Sequence, residues 1–101
     1  MIPIEFHPEA AQEANDSVDY YAGIHMDLGN DFRVELKAAL DRVLRNPMLY
    51  SIESGTVRTC SLHRFPYSIY FSVFTDRIWI AAIGHHSRRP GYWTGRRRGL
   101  R

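Results

Sequence analysis

The sequence predicts an α+β domain of order β-α-α-β-β-β, in which an N-terminal edge strand and a helical hairpin pack on a mainly antiparallel sheet. Three observations carry that prediction. Apolar residues between Ala11 and Val43 recur every three or four positions, the period of a helix with one buried face. Over residues 57–84 the period becomes two, that of a strand. At 101 residues the chain has enough length for one core and not for a second.

Taken in order, Ile2, Ile4 and Phe6 alternate with Pro3 and Glu5, a short strand with one buried face. Pro3 has no amide donor, which places the strand at a sheet edge or turns that position outward. His7-Pro8-Glu9 opens the first helix, since proline suits the first turn and an acid there complements the dipole. Ala11, Ala14, Val18 and Tyr21 form its apolar stripe, with Glu9, Glu13, Asp16 and Asp19 assigned to the solvent side. The stripe stops near residues 23–25, and Asp27 is the expected cap of the second helix. There Leu28, Phe32, Leu36, Leu40 and Val43 repeat until Pro47 ends the run. Asp41 and Arg45 have the spacing of a favourable i,i+4 pair. So short a junction folds two helices antiparallel.

Beyond Pro47, residues 57–62 read as a strand between Gly55 and a corner at 63–66. Tyr67, Ile69, Phe71 and Val73 alternate with Ser68, Tyr70, Ser72 and Phe74, a strand covered on both faces. Thr75-Asp76 is the expected tight turn. Residues 77–84 are almost continuously apolar, which predicts a central strand. Residues 1–86 are therefore assigned to a single domain. Residues 87–101 are assigned to a basic C-terminal tail that binding could order.

Composition is that of a soluble globule, 45% apolar and 24% charged. The net charge of +2 conceals a split. Residues 1–54 hold 4 basic and 10 acidic side chains and residues 55–101 hold 9 and 1, so the halves carry −6 and +8. Such polarity points to different partners for the two halves, with an anionic one for the basic half. No apolar run reaches the roughly 18 residues of a membrane span, and the N-terminus lacks the pattern of a secretory leader. Cys60 is the sole cysteine, which rules out an internal disulfide or a cysteine-based zinc site. These features predict a cytoplasmic protein with no membrane partner and no cofactor.

Chemistry-bearing residues fall late: Arg58, His63, Arg64, His85, His86, Arg88, Arg89, Tyr92, Trp93 and the arginine run 96–98. Guanidinium offers a bidentate fork for phosphate and aromatic rings offer stacking platforms. The same two residue types anchor protein interfaces. Adjacent His85 and His86 point to opposite faces of a strand, so they cannot readily share a metal; no metal site is expected. Glu53 and Asp76 are the only acids after residue 41, a poor supply for a two-carboxylate mechanism. Tyr20 and Tyr21 read as core and rim of the hairpin, and Cys60 as a small buried strand residue.

The order of elements and several strings resemble the RelE/ParE superfamily of toxins from type II toxin–antitoxin modules. The resemblance runs from Phe6-His7-Pro8-Glu9-Ala10 through Tyr20-Tyr21, Phe32 and Pro47 to Arg58. It is densest at Arg64-Phe65-Pro66-Tyr67-Ser68-Ile69-Tyr70-Phe71 and at Ala82-Ile83-Gly84-His85-His86-Ser87-Arg88-Arg89-Pro90. It implies the fold read from periodicity, and a small toxin neutralised by a co-encoded antitoxin. RelE-like members cut mRNA in the ribosomal A site, whereas ParE-like members poison DNA gyrase without the nuclease residues.

Where the nucleases place a basic residue against the scissile phosphate, the matching position here is Ser68, which carries no charge. The lysines that RelE-type nucleases place around their second strand also have no counterpart. Removing one preorganised charge costs roughly 2–4 kcal/mol of transition-state stabilisation. The ParE-like branch is therefore expected, with no catalytic residues. Its target surface would comprise Arg64, His85, Arg88, Arg89, Tyr92 and Trp93; its antitoxin surface, Tyr20, Tyr21, Arg58 and Arg88. The alternatives are a metal-independent, ribosome-dependent mRNA endonuclease and an inactive interaction domain. The endonuclease would use Arg58, Arg64, His85, Arg88 and Tyr92, and it requires those groups to converge.

Overall fold

The computed structural model describes residues 2–97, Arg97 by its backbone alone. The chain runs β1 (Ile4–Phe6), α1 (Pro8–Ile24), α2 (Met26–Arg45), β2 (Ile52–Ser54), β3 (Val57–Ser61), β4 (Tyr67–Val73) and β5 (Ile78–His85). Short 3₁₀ turns lie at Pro47–Leu49 and Thr94–Arg97. The predicted order holds, with β2 added between α2 and β3. All three β2 residues are exposed, so no apolar alternation announced it; it exists as the outer partner of β3.

The sheet order is β1-β5-β4-β3-β2. β1 pairs parallel to β5, and every other pairing is antiparallel. β1 is the edge that Pro3 predicted, and Pro3 serves as an acceptor: its carbonyl takes the N–H of Ile78 at 2.9 Å. β5 is internal and buried over all but its last residue.

His25 alone joins the helices. Its N–H donates to the Tyr21 carbonyl and closes α1, while its Nδ1 accepts from the Asp27 N–H at 3.1 Å and opens α2. The cap is thus His25 rather than Asp27, which sits inside the first turn where a carboxylate complements the dipole. His7 caps α1 in the same manner, its Nδ1 accepting from the Glu9 N–H at 3.0 Å. Imidazole lies outside the usual capping set of Ser, Thr, Asp and Asn, which is why the pattern pointed one step too far. A Cβ on Gly29 would stand 2.7 Å from the Ala22 Cβ, so α2 doubles back against α1 at near backbone contact. Asp41 pairs with Lys37, one turn back, at 3.5 Å rather than forward with Arg45.

One sheet face meets the hairpin. Phe32, Ala39 and Val43 of α2 and Ala10 of α1 are fully buried there against Ile69, Phe71, Ile78 and Ile80. Tyr21, Phe32, Phe65 and Tyr67 stack or meet edge to face with centroids 4.8–6.1 Å apart, a geometry that adds to simple area burial.

The register of β5 slips against β4. Tyr70 faces Ala82 and Phe71 faces Ile80, which leaves Ala81 as an extra residue. This bulge keeps both Ile80 and Ile83 on the helix face and turns Ala82 to the other side. There Ala82 packs with Val57 and Trp93, and Tyr70 and Tyr92 close over them. The segment after β5 therefore folds back over the second face. To residue 97 it consists of turns and a 3₁₀ turn. Residues 98–101 of that predicted tail lie outside the described residues.

Candidate functional site

The polar centre of the molecule is Glu13, on α1. It follows buried Ala10 and precedes buried Ser17 on the stripe, so its carboxylate is carried to the β5 edge and is only 15% exposed. Glu13 Oε1 accepts from the Ile83 N–H at 3.0 Å. The Arg96 guanidinium grips both oxygens, Nη1 to Oε1 and Nη2 to Oε2, each at 2.9 Å. The Tyr92 hydroxyl donates to Oε2 at 2.8 Å. Arg96 Nη1 also donates to the Ala81 carbonyl at 2.9 Å. β1 covers β5 only along Ile78–Ile80. Beyond that, Glu13 and Arg96 supply the acceptor and donor that a neighbouring strand would provide, protecting an open edge.

Tyr92 is held from three sides. Its hydroxyl is committed to Glu13, and the Arg88 and Arg96 guanidiniums lie 3.8 and 5.1 Å from its ring centroid, within cation–π range. A Cβ on Gly84 would come 2.8 Å from the Tyr92 hydroxyl, so glycine is what lets the ring settle against β5. Burial, then the bond to Glu13, push the Tyr92 phenol far above its ordinary value. The bond to Glu13 likewise pushes the Arg96 guanidinium up.

Arg88 is half exposed and reaches Glu13 at 3.8 Å. His85 packs edge-on to Tyr67 at 5.0 Å, and its Nδ1 accepts from the Ser87 N–H. His85 and Arg88 line one cleft with Glu13, Asp16 and Tyr67. Arg89 is exposed. His85 and Arg88 thus share one cleft and Arg88 and Arg89 another, beside the end of β5.

Others do not. Arg64 lies on the corner against α2, its backbone N–H on Glu35 and its guanidinium 3.4 Å from Asp31. Arg58 donates to the carbonyls of Tyr50 and Met48, at 2.6 and 3.4 Å, which ties it to the turn after α2. Trp93 is 2% exposed and packs on Tyr70 at 5.3 Å; it is a core residue, because the segment carrying it lies down on the sheet. Tyr20 is exposed at the hairpin surface, whereas Tyr21 stacks on Phe32. Ser68 is buried, and its hydroxyl bonds His86 Nε2 at 2.8 Å and the Ser61 hydroxyl at 3.1 Å. Among the described residues no group of three or more His, Cys, Asp or Glu is placed to hold a metal ion. No helix among them is long and apolar enough to cross a membrane.

Two residues of this centre escaped the sequence reading. Sequence pattern alone places Glu13 on the solvent side of the first helix and Arg96 in the arginine run of the tail. The signal was present in the spacing: Glu13 lies between Ala10 and Ser17 on the face that packs, and a carboxylate there needs a cation from elsewhere in the chain.

Residues 4–90 match the sequence profile of the ParE toxin of type II toxin–antitoxin systems, parDE. None of the curated proteins matches the chain. Among solved structures the fold is similar to a chain described as a chromosomal ParDE TA system from P. aeruginosa. That similarity has a TM-score of 0.63 and 21% identity, and it covers 84% of this chain and 96% of that one. With the profile spanning nearly the whole β-α-α-β-β-β domain, this chain belongs to the ParE toxin family of type II toxin–antitoxin systems.

Proposed function

We propose that this toxin acts in the cytoplasm by binding and inhibiting DNA gyrase without cleaving a substrate, and that a co-encoded antitoxin silences it. The observation that carries this is the commitment of Tyr92. Its phenol already donates to Glu13 and is pushed far up, so it is a poor proton shuttle near neutral pH. Two of the other groups a nuclease would use lie apart from His85 and Arg88, Arg58 on the turn after α2 and Arg64 on the flank of α2. Ser68 supplies no charge, and its hydroxyl is taken by His86.

In this reading Arg88, Arg89 and His85 meet the target, with Arg64 at the margin. Tyr92 holds Arg88 in place from beneath, and Trp93 contributes only by fixing the segment that carries them. The antitoxin covers Tyr20 and the exposed Ile24 and Met26 beside it, the half-buried edge of Tyr21, and the Arg58 and Arg88 ends of the sheet. Gyrase supercoiling and cleavage-complex assays with the purified toxin test the target. Primer extension on mRNA after induction tests the endonuclease alternative, which predicts codon-phased cuts. A toxin-like domain without activity would leave growth unaffected on induction.

A further inference from the structure

We propose that the cleft between the start of α1 and the C-terminal segment binds a phosphate group, presented by a nucleotide or by a nucleic-acid backbone. The cleft holds about 420 Å³ and is lined chiefly by His7, Glu9, Arg88, Arg89, Tyr92 and Arg96, a size within the usual range of small-ligand sites, about 300–1,000 Å³. Among the described residues three guanidiniums face one carboxylate there, a balance of +2; counting Glu13 behind it, the balance is still +1.

The donors are aimed by the fold. Arg96 is fixed by Glu13 and Ala81, which makes it a rigid cationic wall. Arg88 lies over the Tyr92 ring, its Cζ 3.8 Å from the centroid, with Nη1 3.8 Å from Glu13; half exposed, it presents its remaining guanidinium N–H groups to an anion in the cleft. His7 uses Nδ1 as an acceptor for the Glu9 N–H; its ring proton is therefore on Nε2, a donor. The ring is braced edge-on by Trp79 at 6.2 Å. Arg89 is exposed beside Arg88 and completes the set. Glu9, 68% exposed with Arg96 Nε 3.8 Å away, is the sole carboxylate on the rim among the described residues. The site does not depend on the amides of the α1 N-terminus, since that of Glu9 is already bonded to His7.

The cleft shares Arg88 and Arg89 with the surface assigned to the target, but phosphate capture does not depend on which macromolecule that is. The test uses the purified full chain with no gyrase present. Amide and arginine side-chain NMR shifts are followed on titration with inorganic phosphate, adenosine monophosphate, adenosine, and a short single-stranded oligonucleotide. Saturable shifts at His7, Arg88, Arg89 and Tyr92 with the phosphate-bearing probes, and none with adenosine, are expected. Arg89→Ala weakens binding about tenfold, the worth of one charge-assisted hydrogen bond, and Glu9→Gln tightens it by removing the opposing charge. Equal affinity for phosphate and the mononucleotide identifies a small soluble anion as the ligand. Much tighter, salt-sensitive binding of the oligonucleotide identifies a nucleic-acid backbone. Shifts that cluster elsewhere, a response to adenosine equal to that of its monophosphate, no saturation, or an affinity that neither variant changes would overturn the assignment.

Discussion

Glu13 of α1 and Arg96 of the C-terminal segment form a two-pronged ion pair, 2.9 Å at each oxygen, and the same guanidinium donates to the Ala81 carbonyl. The pair joins the first helix to the last described segment across a separation of 83 residues. It also finishes the edge of β5 where β1 stops. A helix, a strand and the arginine-bearing segment are thereby made one polar unit.

Among the described residues, replacing Glu13 by Ala leaves Arg96 only its 3.8 Å ion pair with the exposed Glu9, and the Ile83 N–H without its acceptor. With side chains only 15% and 10% exposed, the loss is about 3–5 kcal/mol, as for breaking a buried pair. Urea denaturation measures it. The double variant Glu13→Ala, Arg96→Met loses less than the sum of the single losses, because the second change removes the stranded charge.

Tyr92 gives the fold an alkaline limit. Its phenol is pushed up in the folded state, above the ordinary value of about 10. The folded state therefore favours the protonated form. That contribution is complete below about pH 10 and is lost as pH climbs toward the raised folded value. Tyr92→Phe falls off less steeply in this window and costs about 1–2 kcal/mol at neutral pH, one hydrogen bond to a charged group. Some alkaline slope persists in the variant, since burial also pushes Tyr21, Tyr50 and Tyr70 up. Denaturation series across pH for the two proteins give the comparison.

Gly84→Ala drives a methyl group to 2.8 Å from the Tyr92 hydroxyl, and the ring must leave Glu13. The expected cost is about 1–3 kcal/mol, the range for overpacking. In Tyr92→Ala, where the clash with Tyr92 is gone and the 3.2 Å approach to the Tyr70 ring remains, the added methyl costs less. Thermal melts of the four proteins decide this.

His25→Ala removes the acceptor for the Asp27 N–H and costs about 1 kcal/mol of stability, the usual worth of a helix cap. His25→Asn restores most of it, because asparagine is among the strongest capping residues. Equal losses for both variants, read from melting temperatures, would show that the ring is not the cap.

Much of this architecture is legible in the residues. The change of apolar spacing at Pro47 separates hairpin from sheet, and the unbroken apolar run of 78–84 places β5 inside. What the pattern misses has physical causes. β2 consists of exposed residues and exists only through its pairing with β3. The caps are histidines, whose acceptor nitrogen depends on tautomer. The fate of the C-terminal segment depends on a contact 83 residues away in sequence. A run of Arg and aromatic residues looks the same whether its tryptophan is exposed or, like Trp93, buried over Ala82 and Val57. The surface placement of Arg88 and Arg89 is legible from residue type alone, because charge past a strand end stays at the surface.

The central claim is that this toxin inhibits gyrase through the Arg88–Arg89 surface without catalysis. The direct measurement is DNA supercoiling by purified gyrase, with the toxin at micromolar concentration and beside it the Arg88→Ala, Arg89→Ala variant, which keeps the folded core. The wild-type chain is expected to block supercoiling and the variant to do so at least tenfold less well, the worth of about 1.4 kcal/mol at the interface. Full supercoiling in the presence of the wild-type chain, together with codon-phased cleavage of mRNA after induction, would contradict the account.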